Sequence, residues 1–304
     1  MMELDGILPV LKPAGWTSHD VVAKVRRLIR MKRIGHTGTL DPAVTGVLPL
    51  CLGRATRLVE YLQELPKEYE AVVRLGIATD TEDLTGEVIE RQDHVDVTKE
   101  QVESVIQSFV GTIEQVPPMY SAIKVDGKRL YELAREGKVV ERKSRQVTIH
   151  EIEIIHIELD GPEPEIRFRA LCSKGTYIRT LCVDIGRALG VPATMASLIR
   201  TMSANLTRSQ CLTLEQIAAY AEQQTLQEHL VPMDASISHI PAHTIATEKA
   251  YQAVQGQKIS GSAVSPYVDE PGCIRLYSPE GQFYGIFERK PEETFIRPVK
   301  VFLP

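Results

Sequence analysis

Residues 33–58 read RIGHTGTLDPAVTGVLPLCLGRATRL, and this stretch restricts the fold more than any other. Gly35, Gly38, Pro42 and Gly46 interrupt its first half too often for a helix or a regular strand. His36, Thr37, Thr39, Asp41 and Thr45 crowd polar groups into that irregular part. Val47 to Leu52 then runs without a charge, the pattern of a buried strand. A short polar loop tethered to a buried strand is where enzymes hold a reacting side chain. Asp41 is the only carboxylate in the stretch, and Pro42 stiffens the backbone directly after it. Taken alone, an Asp before Pro in a glycine-rich loop is ordinarily a turn-former.

A chain of 304 residues accommodates one large domain, or a large and a small one. Its 43% hydrophobic and 25% charged residues are ordinary for a soluble globular protein. There is no N-terminal signal pattern and no apolar run of about 18 residues, so a cytoplasmic protein without a membrane partner is expected. The five cysteines are scattered and form no CxxC, which argues against a disulfide framework or a thiolate zinc site. A net charge of −5 does not advertise a nucleic-acid binder, but the distribution does. Residues 1–60 carry nine Lys and Arg against five acids, and residues 124–145 carry eight against four. Phosphate contacts are local, so a basic patch on an acidic protein can still hold a polyanion.

Along the chain, Lys12-Pro13-Ala14-Gly15-Trp16-Thr17-Ser18 reads as a turn, and Thr17 with Asp20 forms a capping box. Val21, Val22, Val25, Leu28 and Ile29 follow at helical spacing, with Lys24, Arg27 and Arg30 off that stripe. Lys67 to Gly76 alternates as a strand led by Tyr69, and Thr79 to Gly86 is a polar loop containing Asp83. Thr98 and Gln101 begin a second helix, and Thr213 to Gln224 gives another. Pro117 to Ala122 breaks the pattern ahead of the basic segment, which suggests an excursion from the core. Val147–Leu159 and Glu165–Cys172 read as strands. In the second, charged Glu165, Arg167 and Arg169 alternate with apolar residues, so one face of the sheet is expected to be wet. Ser173 to Thr180 opens a helix that stops at Gly190. From about Ser236 the segments shorten, and Cys273–Tyr277, a Ser-Pro-Glu-Gly turn and Phe283–Phe287 form a hairpin signature.

GHTGTLDPAVTGVLPLCLGRATRL resembles the catalytic motif of the TruB family of tRNA pseudouridine synthases, which modify uridine 55, and the similarity spans more than twenty consecutive positions. The same family has a KPxGxTS motif, a basic residue before a strand-opening Tyr, and the run SKGTYIRxL seen at residues 173–181. Where the family often reads DPxATG, this chain has Val44 in place of Ala, a change of packing rather than chemistry. The resemblance implies an α/β (α+β) fold: a mixed-sheet catalytic domain over residues 1–236 and a small β-rich, PUA-like RNA-binding domain over 237–304. It implies Asp41 as the catalytic residue, Arg179 as its partner, and Tyr69 against the target base. His36 would stack where the flipped base was, and Lys12, Tyr177, Asp83 and Leu198 would contact substrate. An arm over residues 120–146, with Lys124, Lys128 and Arg129, would close over the RNA. The implied partner is the T stem-loop of tRNA, bound by a monomer.

Pseudouridine formation detaches uracil, turns it and rejoins it through carbon. It is an isomerisation that requires no cofactor and no metal, and the chain has no Rossmann fingerprint, P-loop or HExxH. Asp41 could serve as nucleophile or base, and an adjacent Arg179 would keep it charged in a closed pocket. Residue types alone leave open attack on the base, attack on the sugar, and removal of a sugar proton to give a glycal. Two other classes stay open at this level: an RNA-binding or RNA-folding protein without catalysis, and a hydrolase using Asp41. The hydrolase would need a second acid or a metal, and no clear partner appears.

Overall fold

The computed structural model describes residues 4–125 and 127–302. Its main sheet contains β1 (Gly6–Lys12), β2 (Thr45–Leu52), β3 (Lys67–Leu75), β4 (Gly111–Gln115), β5 (Arg145–Glu158), β6 (Glu165–Cys172) and β7 (Ala193–Ser203). They lie in the order β1-β2-β7-β3-β6-β5-β4, with the short strands Ile34–His36 and Leu206–Thr207 added at β2 and β7. Every junction along this order is antiparallel except β2 with β7, where Ile199 pairs Thr45 and Arg200 pairs Gly46 in parallel. Gly46 has φ +114°, and a Cβ there would lie 2.1 Å from the carbonyl oxygen of Arg200. Only glycine lets the two backbones meet at that point.

Four helices cover this sheet: α1 (Ser18–Leu28), α2 (Lys99–Ser108), α3 (Ile178–Leu189) and α4 (Leu214–Glu222). Thr17, Thr98 and Thr213 each close a capping box with the residue three positions on, as their spacing predicts. Helix α3 ends at Gly190 in the left-handed conformation. Period-two alternation explains why β2 is apolar throughout. Leu48, Leu50 and Leu52 pack with Val21, Val22, Val25, Leu214 and Ile217 of α1 and α4. Val47 and Cys51 point the other way, into a cluster with Ile237, Ile240, Ile286 and Phe302. Helices α2 and α3 cover one face of β3, β5 and β6. The other face of those strands is wet and carries pairs such as Arg169–Glu153 at 2.8 Å, as the charged alternation in β6 predicts.

Residues 242–301 build a second, six-stranded sheet with its own core around Ile245, Ile274, Leu276, Phe287 and Ile296. The expected hairpin is there, as Gly272–Tyr277 pairs antiparallel with Phe283–Arg289. This β-rich module is PUA-like. It packs onto the main domain through the Ile286 and Phe302 cluster, a hydrogen bond from Arg57 to the Val301 carbonyl at 2.6 Å, and the Lys300–Glu60 ion pair. Among the described residues no helix is long and apolar enough to cross a membrane.

Candidate active site

The loop carrying Asp41 is fixed from behind before any ligand arrives. The Lys12 ammonium is fully buried and donates to the carbonyls of Val44 at 2.6 Å, Pro13 at 2.9 Å and Pro42 at 3.2 Å. Ser18 accepts from the Leu40 amide at 2.9 Å, and Arg200 donates to the Gly38 carbonyl at 3.2 Å. Leu40 and Val44, on either side of the aspartate, are buried in the core. The loop therefore satisfies its backbone groups with side chains from three other elements, which leaves the Asp41 side chain free to face a cavity. Burial pushes the Lys12 ammonium down to about 8, although the Asp41 charge opposes the shift.

Arg179 reaches the same point from the opposite side. Tyr177 caps α3 without a side-chain bond. Instead, the buried Gln115 clamps its backbone, accepting from its amide at 2.7 Å and donating to its carbonyl at 3.0 Å. The first turn of α3 is thereby anchored to β4. From that turn Arg179, only 6% exposed, places one nitrogen 3.1 Å from the Asp41 carboxylate. The same guanidinium donates to the carbonyls of Tyr120 at 2.7 Å and Thr81 at 3.1 Å. A planar fork with several fixed acceptors has little rotational freedom, so it presents a set charge to Asp41. The Asp41 side chain remains 44% exposed toward the cavity.

That cavity is about 780 Å³, enough for a nucleoside. Asp41, Arg179, Tyr69, Tyr177, Leu198 and Asp83 all line it, and Arg129 reaches it from the arm. Tyr69 and Leu198 come from the neighbouring strands β3 and β7, in which Arg200 lies opposite Tyr69 and Leu198 opposite Ala71. Burial raises the Tyr69 phenol above its ordinary value, and the adjacent Arg200 charge works against this. Asp83 turns part of its carboxylate inward on its own loop, accepting from the Thr81 hydroxyl and from the Thr85 amide and hydroxyl. Among the described residues no group of three or more His, Cys, Asp or Glu could hold a metal ion.

Four of the predicted substrate contacts lie elsewhere. Lys12 does not line the cavity, because its ammonium is used up by the three loop carbonyls. His36 sits one layer back and accepts from the Gly38 amide through Nδ1 at 3.3 Å. Its ring meets His19 edge-on with centroids 5.5 Å apart, and His19 is the histidine that borders the cavity. Burial and the His19 charge lower the His36 imidazole, which favours a neutral ring. Lys124 and Lys128 are exposed on a two-stranded hairpin in the arm and do not line the cavity. Arg129, Tyr131 and Arg135 face the cavity from that arm, which makes it a roof rather than a free excursion.

Two cavity cations escaped the sequence reading: Lys67, two residues before Tyr69, and Arg200, in the middle of β7. Arg200, the one charged residue in a strand of apolar and hydroxyl side chains, was the available signal.

The family model described as TruB family pseudouridylate synthase (N terminal domain) matches residues 26–178. The one described as tRNA pseudouridylate synthase B C-terminal domain matches residues 179–238. A Bacillus licheniformis protein named tRNA pseudouridine synthase B is 45% identical over 302 residues, covering 98% of each chain. Its Bacillus subtilis namesake is 42% identical over 306 residues, covering 97% of this chain and 98% of that one. Among solved structures, one of a Cbf5-Nop10-Gar1 complex superposes with a TM-score of 0.77 at 27% identity, covering 99% of this chain and 86% of that one. With an aspartate loop, a buried arginine and a cavity arranged as described, the chain belongs to the TruB family of pseudouridylate synthases.

Proposed function

We propose that this protein converts uridine 55 in the T loop of tRNA to pseudouridine, with Asp41 as the group that acts on the glycosidic bond. The observation that carries the reading is the Asp41–Arg179 pair, 3.1 Å apart at the wall of a nucleoside-sized cavity. Membership of the family supports a uridine in RNA as substrate, and the relatives named as tRNA synthases support tRNA.

A uridine in a folded T arm must leave its stack to reach Asp41. His19 at the rim, with His36 behind it, would fill the space it leaves, and Tyr69 would stack on the extruded base. The arm over residues 120–146 would hold the backbone, and the PUA-like module, residues 237–304, would extend the RNA surface beyond the catalytic domain. Arg179 would hold the Asp41 carboxylate in place beside the extruded base.

Asp41→Asn tests the reading on a T-arm hairpin under single-turnover conditions. The amide keeps the shape but offers no anionic oxygen, so product formation should fall by at least about a thousandfold, with hairpin affinity within about threefold of wild type. Product at a rate near wild type would remove Asp41 from the chemistry.

A further inference from the structure

Lys67 and Arg200 are a pair of buried cations without a carboxylate. Lys67 is 8% exposed and Arg200 only 1%. Among the described residues neither has a carboxylate oxygen within 4.0 Å. Lys67 donates to the backbone carbonyls of Gln63 and Leu65 at 2.9 and 3.0 Å, and Arg200 to those of Val47 and Gly38 at 2.8 and 3.2 Å. They converge on one spot: a Cβ at Gly38 would lie 3.6 Å from Arg200 Nη1 and 3.6 Å from Lys67 Cε. Both line the catalytic cavity on the side of Tyr69, and Arg200 is the cross-strand partner of that tyrosine.

Arg200 also supports the Asp41 loop through the Gly38 carbonyl, but holding two like charges together out of water with no carboxylate to offset them is costly. The arrangement is suited to an anion that arrives later. Asp41 is already committed to Arg179. A backbone phosphate stays near the mouth of the cavity with the rest of the RNA, whereas the base enters deepest. Resting on the proposed function, we infer that Lys67 and Arg200 hold the detached uracil as its anion during the isomerisation.

The electron count supports this assignment. When the C1′–N1 bond breaks, its electron pair stays on uracil, spread over N1, O2 and O4. The sugar is left electron-poor at C1′. It is completed either by a bond from an Asp41 oxygen or by loss of the C2′ proton to Asp41. After uracil turns, C5 bonds to C1′ as the Asp41–C1′ bond breaks or as Asp41 returns its proton to C2′. C5 then loses its proton and N1 gains one, so the product is an isomer of the substrate and Asp41 is regenerated. Whichever sugar step operates, the negative charge appears on the ring, and donors fixed beforehand at that place stabilise it more than water would. Lys67 faces Arg200 from β7, Cys172 from β6, Glu64 from the preceding helix and Lys174 beyond β6. Burial and Arg200 lower its ammonium to about 8, which leaves it mostly charged at neutral pH and ready to share its proton with an anion.

The test uses the full chain with whichever RNA the wild type isomerises. Failure of the T-arm hairpin alone therefore strikes the substrate assignment and not the cation pair. Lys67→Gln and Arg200→Gln remove charge, and either one that folds suffices. Single-turnover kinetics separate binding from chemistry. The chemical step should slow by about a hundredfold while hairpin affinity and its salt slope stay unchanged. A target carrying 4-thiouridine, whose base holds negative charge better on sulfur, should recover much of the lost rate. Equal losses on uridine and 4-thiouridine would make the residues structural and overturn the inference. So would a weaker affinity with a flatter salt slope and an intact chemical step, which would place a phosphate there. An unchanged chemical step overturns it outright.

Discussion

The Asp41 loop and the basic arm both face the cavity, but they are held in opposite ways. The loop hangs from buried side chains: Lys12 donates to its Pro42 and Val44 carbonyls, Ser18 accepts from its Leu40 amide, and Arg200 donates to its Gly38 carbonyl. The arm is anchored at its root, where Arg179 donates to the Tyr120 carbonyl and Ser121 is buried, and beyond that rests on Leu130 and Leu133 with its charged groups at the surface. Its ion pairs, Lys128–Glu136 at 3.1 Å and Lys138–Glu136 at 2.7 Å, lie in solvent, where such pairs contribute little. Tyr131 stands between Arg129 and Arg135, with both guanidinium groups near its ring. The difference separates two tasks. In the proposed function the carboxylate would need a position fixed to a fraction of an ångström, which buried hydrogen bonds provide. A phosphate backbone needs positive charge that can follow the shape of an RNA, which an exposed arm provides.

Breaking the rigid side should have the largest effect. Arg179→Ala removes the partner of Asp41 and the donor to Thr81 and Tyr120, so the single-turnover rate on a T-arm hairpin should fall by about a thousandfold. Lys at this position keeps the charge but loses the fork, and should recover only part of the rate. A rate near wild type for Arg179→Ala would show that the loop needs no partner from α3.

Next comes the support behind the loop. Lys12→Met leaves the buried Val44 carbonyl without its Lys12 donor and weakens the hold on Pro13 and Pro42, and should cost about 2 kcal/mol in denaturant unfolding. The sign of its pH dependence is defined. With a folded value of about 8 and an ordinary value of 10.5, the unfolded chain binds more protons between those limits. The Lys12 contribution is therefore complete above the unfolded value and lost as pH falls through about 8. Between pH 8 and 10 the stability of wild type should rise relative to that of Lys12→Met. A constant difference across that range would mean that the lysine is not the titrating group.

The adaptable side should give the smallest effect. Neutralising Lys124, Lys128 and Arg129 together should weaken hairpin binding and reduce its log–log salt slope by about one unit per lost phosphate contact. The chemical step at saturating enzyme should stay near wild type. A fall in that step with unchanged binding would reverse the comparison and put the arm among the reacting groups.

The sequence disclosed the parts of this site that depend on local order. Asp41 is the only carboxylate in a loop bounded by Gly and Pro, and Arg179 opens a helix where its charge opposes the helix dipole. Capping boxes marked three helix starts, and alternation marked β3 and β6. Contacts between distant segments were hidden. Lys12 sits in a turn motif that reads as exposed, and only the fold shows its ammonium inside. Arg200 and Lys67 look like ordinary strand residues until β7 and β3 are paired and the Asp41 loop is laid across them. The same holds for β1, where the short apolar stretch before Lys12 gave no sign that it would edge the main sheet.

Arg179 has a consequence for how the enzyme comes into being. Its three acceptors lie 138, 98 and 59 residues earlier in the chain. Contacts so distant in sequence form only after long loops have closed, and those closures are the slow, costly part of reaching the native state. The ion pair is thus among the last features to assemble. The Asp41 loop waits on a contact more distant still, because Arg200 follows the Gly38 carbonyl that it holds by 162 residues. Loop and ion pair are therefore completed together, late in folding, and neither can be set in place by the first half of the chain alone.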